Sequence, residues 1–240
     1  MIRYWFILAT CALGASTHGQ APSHSAVNPA PRLEANWQKR ASLLDQRLQE
    51  TPDTELLFIG DSITQGWENG GASNVWKQFY LRRKAVNLGI GGDRTQHVLW
   101  RLQKAPLEGV KPKAAVVMIG TNNSNGEDHT PGQIVEGIAA IVKTLRQRLP
   151  ETKILLLGIF PRGENFNPQR GKLTQINQVL MKMHDGKSVH YLDIGHHFLK
   201  DDGILPTEIM YDYLHLTTQG YEIWAQALEP KLAELLGEKK

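Results

Sequence analysis

Short apolar runs alternate along the chain with segments of helical periodicity, and this alternation limits the possible folds more than any other feature of the sequence. The strand-like runs are rich in branched residues and cover residues 56–59, 85–88, 114–119, 154–159 and 189–194. Their nearly continuous hydrophobicity is typical of strands that are covered on both faces. Because parallel strands are joined by right-handed crossovers, the sequence predicts an α/β protein with a parallel, doubly wound sheet and helices on both faces.

Four segments carry apolar residues on one face of a predicted helix. In the clearest of them, Thr130 is a candidate N-cap and Pro131 occupies the first turn. The four apolar stripes are Leu33, Trp37, Ala41, Leu44 and Leu48; Ile134, Ile138, Ile141, Val142, Leu145 and Leu149; Leu173, Ile176, Leu180 and Met183; and Tyr221, Ala225, Leu228 and Leu232. No internal repeat or second linker interrupts the pattern, so we expect one domain.

The first residues have the layout of a secretory signal peptide. Arg3 precedes an apolar stretch over residues 4–15, which is shorter than the roughly 20 residues of a membrane span. We therefore expect a signal peptide over residues 1–21, a flexible leader over 22–32 and a folded domain over 33–240. This layout predicts a secreted or periplasmic protein without stable membrane insertion after cleavage, while the exact cleavage position stays open.

Composition argues against two classes of protein. Cys11 is the only cysteine and lies within the predicted signal peptide, so no disulfide framework is expected in the mature protein. A lipoprotein cysteine is disfavoured at this position because a threonine precedes it.

The formal net charge of +3 is small for 240 residues, and the longest basic cluster, residues 82–84, directly precedes a strand-like run. We interpret this cluster as a solvated strand edge and predict no nucleic-acid partner.

Chemically unusual residues follow the strand-like runs. The segment GDS follows the first run, GIGGD the second, GTNN the third, PRGENFNP the fourth and DIGHHF the fifth, and DYLH comes shortly before the last predicted helix. In doubly wound sheets, ligands bind beyond the carboxyl ends of the strands. These segments are therefore the candidate functional site.

Ser62 in the segment FIGDSITQGW is the candidate nucleophile. A serine hydroxyl becomes a useful nucleophile only with a base at hydrogen-bond distance and a third group that orients the base. Asp212 and His215 stand three residues apart, so one irregular turn brings the carboxylate to the imidazole. The alternative is that all three are capping or packing residues. The nucleophile elbow of lipases is not matched, because Thr64 stands where its second glycine is required.

Acyl transfer also needs hydrogen-bond donors for the oxyanion that forms during attack. Gly89, Gly91 and Gly92 permit close approach of backbone NH groups, although a tight turn is the alternative interpretation of these glycines. Asn122 offers a side-chain NH, and Ser62 offers its own backbone NH.

Four motifs in this order, GDSITQGW, NLGIGGDRTQHVLWRL, GTNN and DYLHL, resemble the sequence blocks of the SGNH hydrolases, a branch of the GDSL esterases. Agreement through QHVLWRL, LLGIFPRGENFNP and MYDYLHL is similar in particular to the platelet-activating-factor acetylhydrolase catalytic-subunit-like group. The resemblance covers about residues 55–230. It implies a three-layer α/β/α, flavodoxin-like fold with a five-stranded parallel sheet.

The same resemblance implies a role for each matched residue. Ser62 corresponds to the nucleophile, His215 to the general base and Asp212 to the residue that orients the base. Gly92 and Asn122 correspond to oxyanion donors, together with the Ser62 NH. The implied reaction passes through a covalent acyl-enzyme and needs no cofactor.

We expect a secreted serine esterase that acts on short-chain, chiefly acetyl, oxygen esters of a small-molecule or polysaccharide substrate. The signal peptide departs from the intracellular members of the similar group, and secreted relatives resemble esterases that deacetylate polysaccharides. Ile63, Thr121 and Leu214 are expected to narrow the acyl pocket, and Trp67 is a candidate pocket wall.

Several alternatives stay open at this point. A lysophospholipase or thioesterase would use the same residues with a longer acyl pocket, and a platelet-activating-factor-type enzyme would deacetylate a phospholipid. A non-catalytic carbohydrate-binding module would not need Ser62, Asp212 and His215 together. A flavodoxin-like cofactor binder would need a phosphate-cradling motif that the sequence lacks. A homodimer also stays open.

Two further groups of residues invite a functional interpretation. His196 and His197 lie near Asp193, Asp201 and Asp202 in the sequence, which suggests a metal site. Adjacent histidines are expected to point to different sides, so we predict no metal. Arg162 is expected either to contact a substrate carboxylate or to brace its loop.

Overall fold

The computed structural model describes residues 24–238, and its centre is a parallel sheet. In this part of the chain the strands are β1 (Leu56–Gly60), β2 (Ala85–Asn87), β3 (Ala114–Met118), β4 (Lys153–Leu157) and β5 (Val189–Leu192). They pair in the order β2-β1-β3-β4-β5, and every neighbouring pair is parallel. The predicted five-stranded parallel sheet of flavodoxin-like strand order is confirmed.

Helices cover both faces of this sheet. The α-helices of the described residues are α1 (Ala35–Glu50), α2 (Ser62–Gln65), α3 (Ala72–Tyr80), α4 (Thr95–Lys104), α5 (Pro131–Arg148), α6 (Pro168–Leu180) and α7 (Thr218–Leu236). Helices α1, α4, α5 and α6 bury their apolar stripes against one face, and α3 and α7 do so against the other. The predicted three-layer α/β/α arrangement is therefore confirmed. None of the helices between residues 24 and 238 combines the length and the apolar character that crossing a membrane requires.

Strand β1 shows why these runs are apolar throughout. Leu57 and Ile59 pack with the core on the α5 side, whereas Leu56 and Phe58 pack with the core on the α7 side. All four side chains are fully buried. Since successive strand residues point to opposite faces, a strand between two helical layers needs apolar residues at every position.

The strand order creates a switch point beside β1. The chain leaves β1 for β2 on one side and returns to β3 on the other, so the connections from β1 and β3 run in opposite directions. In such folds the crevice at the carboxyl ends of these two strands binds ligands. The candidate residue Ser62 directly follows β1, and Asn122 follows β3.

The described part of the predicted flexible leader, residues 24–32, differs from expectation because it is held against the domain. Residues 25–27 form a 3-10 turn that lies against α4 and α5, and Ala26 is fully buried. Gly137 of α5 permits this approach, because a Cβ there would lie 2.8 Å from the Ala26 carbonyl oxygen. That carbonyl accepts a hydrogen bond of 2.8 Å from Thr95 Oγ1. The folded body thus begins before residue 33, and the predicted signal peptide lies outside the described residues.

The apolar stripe predicted for the first helix is too long at its start. Trp37, Leu44 and Leu48 are buried as expected, but Leu33 lies outside α1 and is 86% exposed. The backbone before Ala35 is extended, so Leu33 does not continue the helical face. The third predicted stripe also runs past its helix, since Met183 lies in the 3-10 turn after α6.

Candidate active site

Ser62 is the first residue of the short helix α2, directly after β1. The turn between them needs Gly60, because a Cβ there would lie 2.1 Å from Thr64 Oγ1 and 2.5 Å from the Met118 carbonyl oxygen. Asp61 caps the helix by accepting a hydrogen bond of 3.0 Å from the Ile63 NH. The serine NH stands in the first turn, where a helix provides no intrahelical acceptor for it.

A hydrogen-bonded chain connects Ser62 to the loop before α7. Ser62 Oγ lies 2.9 Å from His215 Nε2, and His215 Nδ1 lies 2.7 Å from Asp212 Oδ2. Asp212 Oδ1 accepts the backbone NH groups of Leu214 and His215 at 3.1 and 2.7 Å. Partial burial raises the pKa of Asp212, but these hydrogen bonds outweigh it and hold that pKa below its ordinary value. The carboxylate is therefore ionised where it faces the imidazole.

The loop that carries Asp212 and His215 is a closed turn. Tyr211 NH donates to the His215 carbonyl at 3.1 Å, and Tyr213 NH donates to the Met210 carbonyl at 2.9 Å. Tyr213 adopts a φ of +60°, a strained value for a residue with a side chain. This strain lets the backbone turn back within three residues, so that the imidazole meets the carboxylate.

Tyr221 of α7 connects the end of the chain to the helix that begins with Ser62. Its hydroxyl donates a hydrogen bond of 2.7 Å to the Ile63 carbonyl. Gly66 leaves space for this phenol, because a Cβ there would lie 1.9 Å from the hydroxyl oxygen. The contact holds α7 and the preceding loop at a constant distance from the serine.

The loop over residues 89–93 approaches Ser62 from the β2 side. A Cβ at Gly91 would lie 3.8 Å from Ser62 Cβ, and Gly92 adopts a φ of +76°. Asp93 anchors the end of this loop, since its fully buried carboxylate accepts Trp37 Nε1 at 2.6 Å and Arg101 Nε at 2.9 Å. The Gly91 NH is occupied, since Gln65 Oε1 accepts it at 2.7 Å, whereas the loop passes close to the serine at Gly91 and turns with a left-handed backbone at Gly92.

Asn122 is tied to the same loop. It opens a 3-10 turn after β3, and its Nδ2 donates to the Asp93 carbonyl at 2.9 Å. Neighbouring Asn123 binds the start of α4, because its Oδ1 accepts the Thr95 NH at 2.9 Å. Ser62, His215 and Asp212 are thus joined by hydrogen bonds, and Asn122 is bound to the residue that follows Gly92. The NH groups of Gly89 and Gly91 are taken by Asn87 and Gln65, which leaves Gly92 as the glycine candidate for oxyanion binding.

The cleft beside Ser62 is lined by residues other than those expected. It has a volume of about 240 Å³ and is lined by Ser62, Gly66, Asn69, Gly70, Gly71, Ala72, Tyr211, His215, Leu216, Thr218 and Tyr221. Tyr211 is 61% exposed, and its ring lies nearly parallel to the His215 imidazole with 6.0 Å between centroids. Asn69 lies just outside the family block GDSITQGW, and Tyr211 lies within MYDYLHL but was assigned no role there.

The expected pocket residues do not line this cleft. Ile63 and Trp67 are both 1% exposed, and the Trp67 indole packs 4.5 Å from the Tyr221 ring in the core. Ile63 of α2 and Trp67 of the following 3-10 turn both join the core on the α7 side of the sheet. Thr121 is buried beneath Arg162, and Leu214 lines a neighbouring groove on the far side of Asp212.

Arg162 braces two loops against each other. Its Nη1 donates to the carbonyl and Oγ1 of Thr121 at 3.3 and 3.2 Å, and to Asn125 Oδ1 at 3.0 Å. Burial lowers the pKa of Arg162, whereas the charges of Asp61 and Asp212 act in the opposite direction. These contacts favour the bracing role over direct contact with a substrate carboxylate.

The residues that suggested a metal site are not brought together. No group of three or more His, Cys, Asp or Glu side chains within residues 24–238 is arranged to hold a metal ion. Contrary to expectation, the rings of His196 and His197 do not point apart, since their centroids lie 4.0 Å from each other. The Asp193 carboxylate accepts the Gly195 NH at 2.8 Å and thereby caps its own turn.

A second carboxyl group lies behind the serine, and sequence reasoning missed it. Asp61 is fully buried, and its Oδ2 has no hydrogen-bond partner within the described structure. Burial raises the pKa of Asp61 to about 7; the charge of Asp93 acts in the same direction, and those of His215 and Arg162 oppose it. A carboxyl with this pKa is partly protonated at neutral pH.

Comparison with known proteins identifies a family and related structures. Residues 58–223, more than half of the chain, match the model of the GDSL-like Lipase/Acylhydrolase family. Among curated proteins, the chain is similar to platelet-activating factor acetylhydrolase IB subunit alpha1 of Homo sapiens. The two are 37% identical over 217 residues, which cover 89% of this chain and 91% of the relative.

Two solved structures share the fold at lower identity. One is a catalytic mutant of Axe2, an acetylxylan esterase from Geobacillus stearothermophilus, with a TM-score of 0.59, 20% identity and coverage of 77% of this chain and 94% of that one. The other is Est24, a carbohydrate acetylesterase from Sinorhizobium meliloti, with a TM-score of 0.61, 18% identity and coverage of 76% and 99%. At such identities the likeness shows a common fold alone.

The raised pKa of Asp61 predicts a pH-dependent difference in stability between the protein and its Asp61→Asn variant. The folded pKa of about 7 exceeds the unfolded value of roughly 3.9, so the folded state binds more protons between these values. Stability is therefore lost as the pH rises through this window. Asparagine keeps the acceptor for the Ile63 NH but does not titrate. As the pH is raised from 4.5 to 8, the melting temperature of the unmodified protein should decrease relative to that of the variant. A difference in melting temperature that stays constant over this range would contradict the raised pKa of Asp61.

Proposed function

The chain belongs to the GDSL-like lipase/acylhydrolase family and is an ester-hydrolysing enzyme, and we propose that Ser62, His215 and Asp212 are its catalytic triad. The observation that carries this proposal is the pair of hydrogen bonds, 2.9 and 2.7 Å long, that joins the three side chains. A serine, a base and an orienting carboxylate in this sequence are the requirements for nucleophilic acyl transfer. A non-catalytic binding module would have no use for this arrangement.

In the proposed reaction, His215 Nε2 takes the hydroxyl proton as Ser62 Oγ attacks the ester carbonyl. The tetrahedral intermediate collapses when His215 returns this proton to the departing alcohol, which leaves an acyl-enzyme. Water then attacks the acyl group with His215 again as base, and the acid is released. Asp212 holds the imidazole with Nε2 toward the serine and stabilises the imidazolium that forms in each step.

We assign the oxyanion hole to the NH groups of Ser62 and Gly92 and to the Asn122 side chain. The Ser62 NH faces no acceptor of its own helix, and the positive end of the α2 backbone dipoles lies at the same point. One Asn122 amide hydrogen is used by the Asp93 carbonyl, and an amide carries a second. Removal of one such donor costs roughly a hundredfold or more in turnover.

We propose a short acyl group, chiefly acetyl, as the group transferred. The cleft beside Ser62, at about 240 Å³, is smaller than the roughly 300–1,000 Å³ of sites that enclose drug-sized ligands. Backbone of the glycine-containing segment over residues 69–71 forms part of its wall, and the large apolar side chains Ile63 and Trp67 are buried elsewhere. A long acyl chain would have to lie outside this cleft.

We propose carbohydrate as the alcohol part of the substrate. Tyr211 presents an exposed aromatic face next to His215, where a sugar ring can pack by its apolar side. Asn69 and Thr218 supply polar groups at the same cleft. The names of Axe2 and Est24, which describe deacetylation of xylan and carbohydrate, agree with this choice. The second candidate is a phospholipid acetyl ester, which the 37% identity to a platelet-activating factor acetylhydrolase subunit favours.

We also propose that the enzyme is exported, on the basis of the signal-peptide pattern over residues 1–21. Expression in a bacterial host with an intact secretion system should place the enzyme outside the cytoplasm. The mass of the exported protein should lack about the first 21 residues. An exported protein that retains all of them would contradict the proposed signal peptide.

Acetate release from acetylated xylan, other acetylated glycans and an acetylated phospholipid tests the proposed function. Ser62→Ala should reduce release by at least about a thousandfold, because the hydroxyl that forms the acyl-enzyme is absent. Among p-nitrophenyl esters, acetate should be hydrolysed faster than octanoate. Equal release by the enzyme and Ser62→Ala would exclude the triad, and faster release from the phospholipid would replace carbohydrate with the second candidate.

Removal of the Tyr211 ring should weaken binding of a sugar substrate without slowing hydrolysis of an ester that has no sugar. We expect Tyr211→Ala to raise KM for acetylated xylooligosaccharides about tenfold, since an aromatic contact contributes roughly 1–1.5 kcal/mol. The kcat/KM for p-nitrophenyl acetate should change less than about threefold, because this ester has no sugar. Tyr211→Phe should retain the KM for the oligosaccharide. Phe166→Ala is the matched control, as Phe166 is 80% exposed in the neighbouring groove. Equal losses on both substrates would instead assign Tyr211 to support of His215.

A further inference from the structure

Side chains from the segment before β1 contact the loop over residues 89–93. Arg32 Nη1 donates a hydrogen bond of 2.7 Å to the Gly91 carbonyl, and Arg40 Nε donates one of 2.9 Å to the Gly89 carbonyl. Trp37, which lies between these arginines in sequence, binds the carboxylate of Asp93 at 2.6 Å. Three side chains within nine residues of sequence therefore contact the loop, each at a different residue.

The Arg32 contact bears directly on an NH group. The Gly91 carbonyl and the Gly92 NH belong to one planar trans peptide, in which they point in opposite directions. A guanidinium that holds the carbonyl on one side therefore directs the NH to the other. This peptide is the central one of a turn that the Asp93 NH closes on the Ile90 carbonyl at 3.1 Å. Glycines on both sides allow the central peptide of such a turn to take either orientation, so the Arg32 contact favours one direction of the NH.

Arg32 and Gly92 fit each other closely. Gly92 has a φ of +76°, and a Cβ there would lie 2.8 Å from Arg32 Nη1. Any other residue at position 92 would thus be strained and would also displace the guanidinium. Arg32 is itself held in place, since Glu34 Oε1 accepts its Nη2 at 2.9 Å and its Nε at 3.2 Å. Arg32 Nη1 also lies 3.9 Å from Asp93 Oδ1, and the side chain is only 24% exposed.

We propose that Arg32 is a positioning residue that presets the Gly92 NH for oxyanion binding. The inference rests on the proposed function, in which this NH stabilises the tetrahedral intermediate. Arg32 does not touch the reacting atoms; it acts through the peptide between Gly91 and Gly92. Its charge also polarises this peptide and so strengthens the NH as a donor. Donors that are fixed before the reaction stabilise an oxyanion without the cost of reorientation.

Arg40 offers a matched control in the same loop. Its carbonyl partner belongs to the peptide between Gly89 and Ile90, and the Ile90 NH of that peptide already donates to the Gly60 carbonyl at 3.3 Å. Gly89 NH is also occupied, since Asn87 Oδ1 accepts it at 2.9 Å. The peptide that Arg40 contacts therefore has no NH to offer a substrate.

The test compares Arg32→Ala, Arg32→Lys and Arg40→Ala with p-nitrophenyl acetate as substrate. We expect Arg32→Ala to lower kcat about tenfold to a hundredfold with KM within about threefold, because a loosened donor costs less than a lost one. Arg32→Lys should regain part of this loss, since an ammonium group can donate to the same carbonyl. Arg40→Ala should change kcat less than about threefold even where the melting temperature falls equally.

Inhibition by a trifluoromethyl ketone distinguishes loss of oxyanion binding from a general loosening of the structure. Such a ketone forms a tetrahedral adduct with a catalytic serine, and the oxygen of the adduct occupies the oxyanion hole. Its inhibition constant should weaken in Arg32→Ala by the same factor as kcat/KM falls, whereas product acetate should inhibit unchanged. Unchanged kcat in Arg32→Ala, equal kcat losses in Arg32→Ala and Arg40→Ala, or failure of the lysine variant to recover activity would overturn the proposal.

Labelling with a fluorophosphonate separates failure of this proposal from failure of the proposed function. If Ser62→Ala is inactive and unlabelled while Arg32→Ala behaves as the unmodified enzyme, only the role of Arg32 is rejected. If Ser62→Ala retains full activity and labelling, the triad itself is rejected, and the Arg32 proposal is rejected with it.

Discussion

The tight turn from β1 into α2 is the constraint on which the site depends. Gly60 lies so close to Thr64 and to the Met118 carbonyl that even a methyl group would overlap both. This turn begins α2 at once after the strand, so Ser62 stands at the helix N-terminus and at the crevice between β1 and β3. The strand order then brings the β2 and β3 loops to either side of the serine. Only the imidazole and its carboxylate must come from a distant part of the chain, and Tyr221 holds that part through the Ile63 carbonyl.

Asp93 organises the second half of the site. Its buried carboxylate receives hydrogen bonds from Trp37 of α1 and Arg101 of α4, and its carbonyl receives one from Asn122 after β3. One residue thus joins two helices and two loops to the glycines that pass the serine. A buried carboxylate is tolerated only when it is paired and hydrogen-bonded, and these partners satisfy it. The loop can therefore remain free of side chains near Ser62 without losing its position.

The sequence predicted the five strands and the helices α1, α5, α6 and α7, because continuous apolar runs and helical stripes report burial directly. It did not predict the shorter helices α2, α3 and α4. The same reasoning predicted a fourth strand that extends two residues too far. Residues 158 and 159 are buried, but the Ile159 NH donates to the Asn177 side chain instead of to a neighbouring strand. Sequence reasoning also did not predict that residues 24–32 attach to the domain. Single hydrogen bonds hold this segment, and the absence of a Cβ at Gly137 leaves space for it, and composition reveals neither feature. The family blocks brought Ser62, His215 and Asp212 together correctly as neighbours. Proximity in sequence to Ser62 did not predict pocket residues correctly, since Ile63 of α2 and Trp67 of the next 3-10 turn are both buried in the core.

Some locally unfavourable features lie close to the serine in sequence or in the loop that carries His215. The core on both faces of the sheet is apolar, yet Asp61 has an unpaired buried oxygen, and the Trp67 indole nitrogen is also buried without a partner within the described structure. Tyr213 adopts its left-handed conformation in the turn that presents His215, at a cost of about 1–3 kcal/mol for such a residue. Natural sequences keep such features where a geometry is needed that local preferences do not provide. A strained residue, Tyr213, stands in the turn that joins the imidazole to its carboxylate, and the unpaired carboxyl oxygen of Asp61 lies next to the nucleophile in sequence. These residues lower the stability of the fold, and burial of the continuous apolar strands between two helical layers offsets this loss.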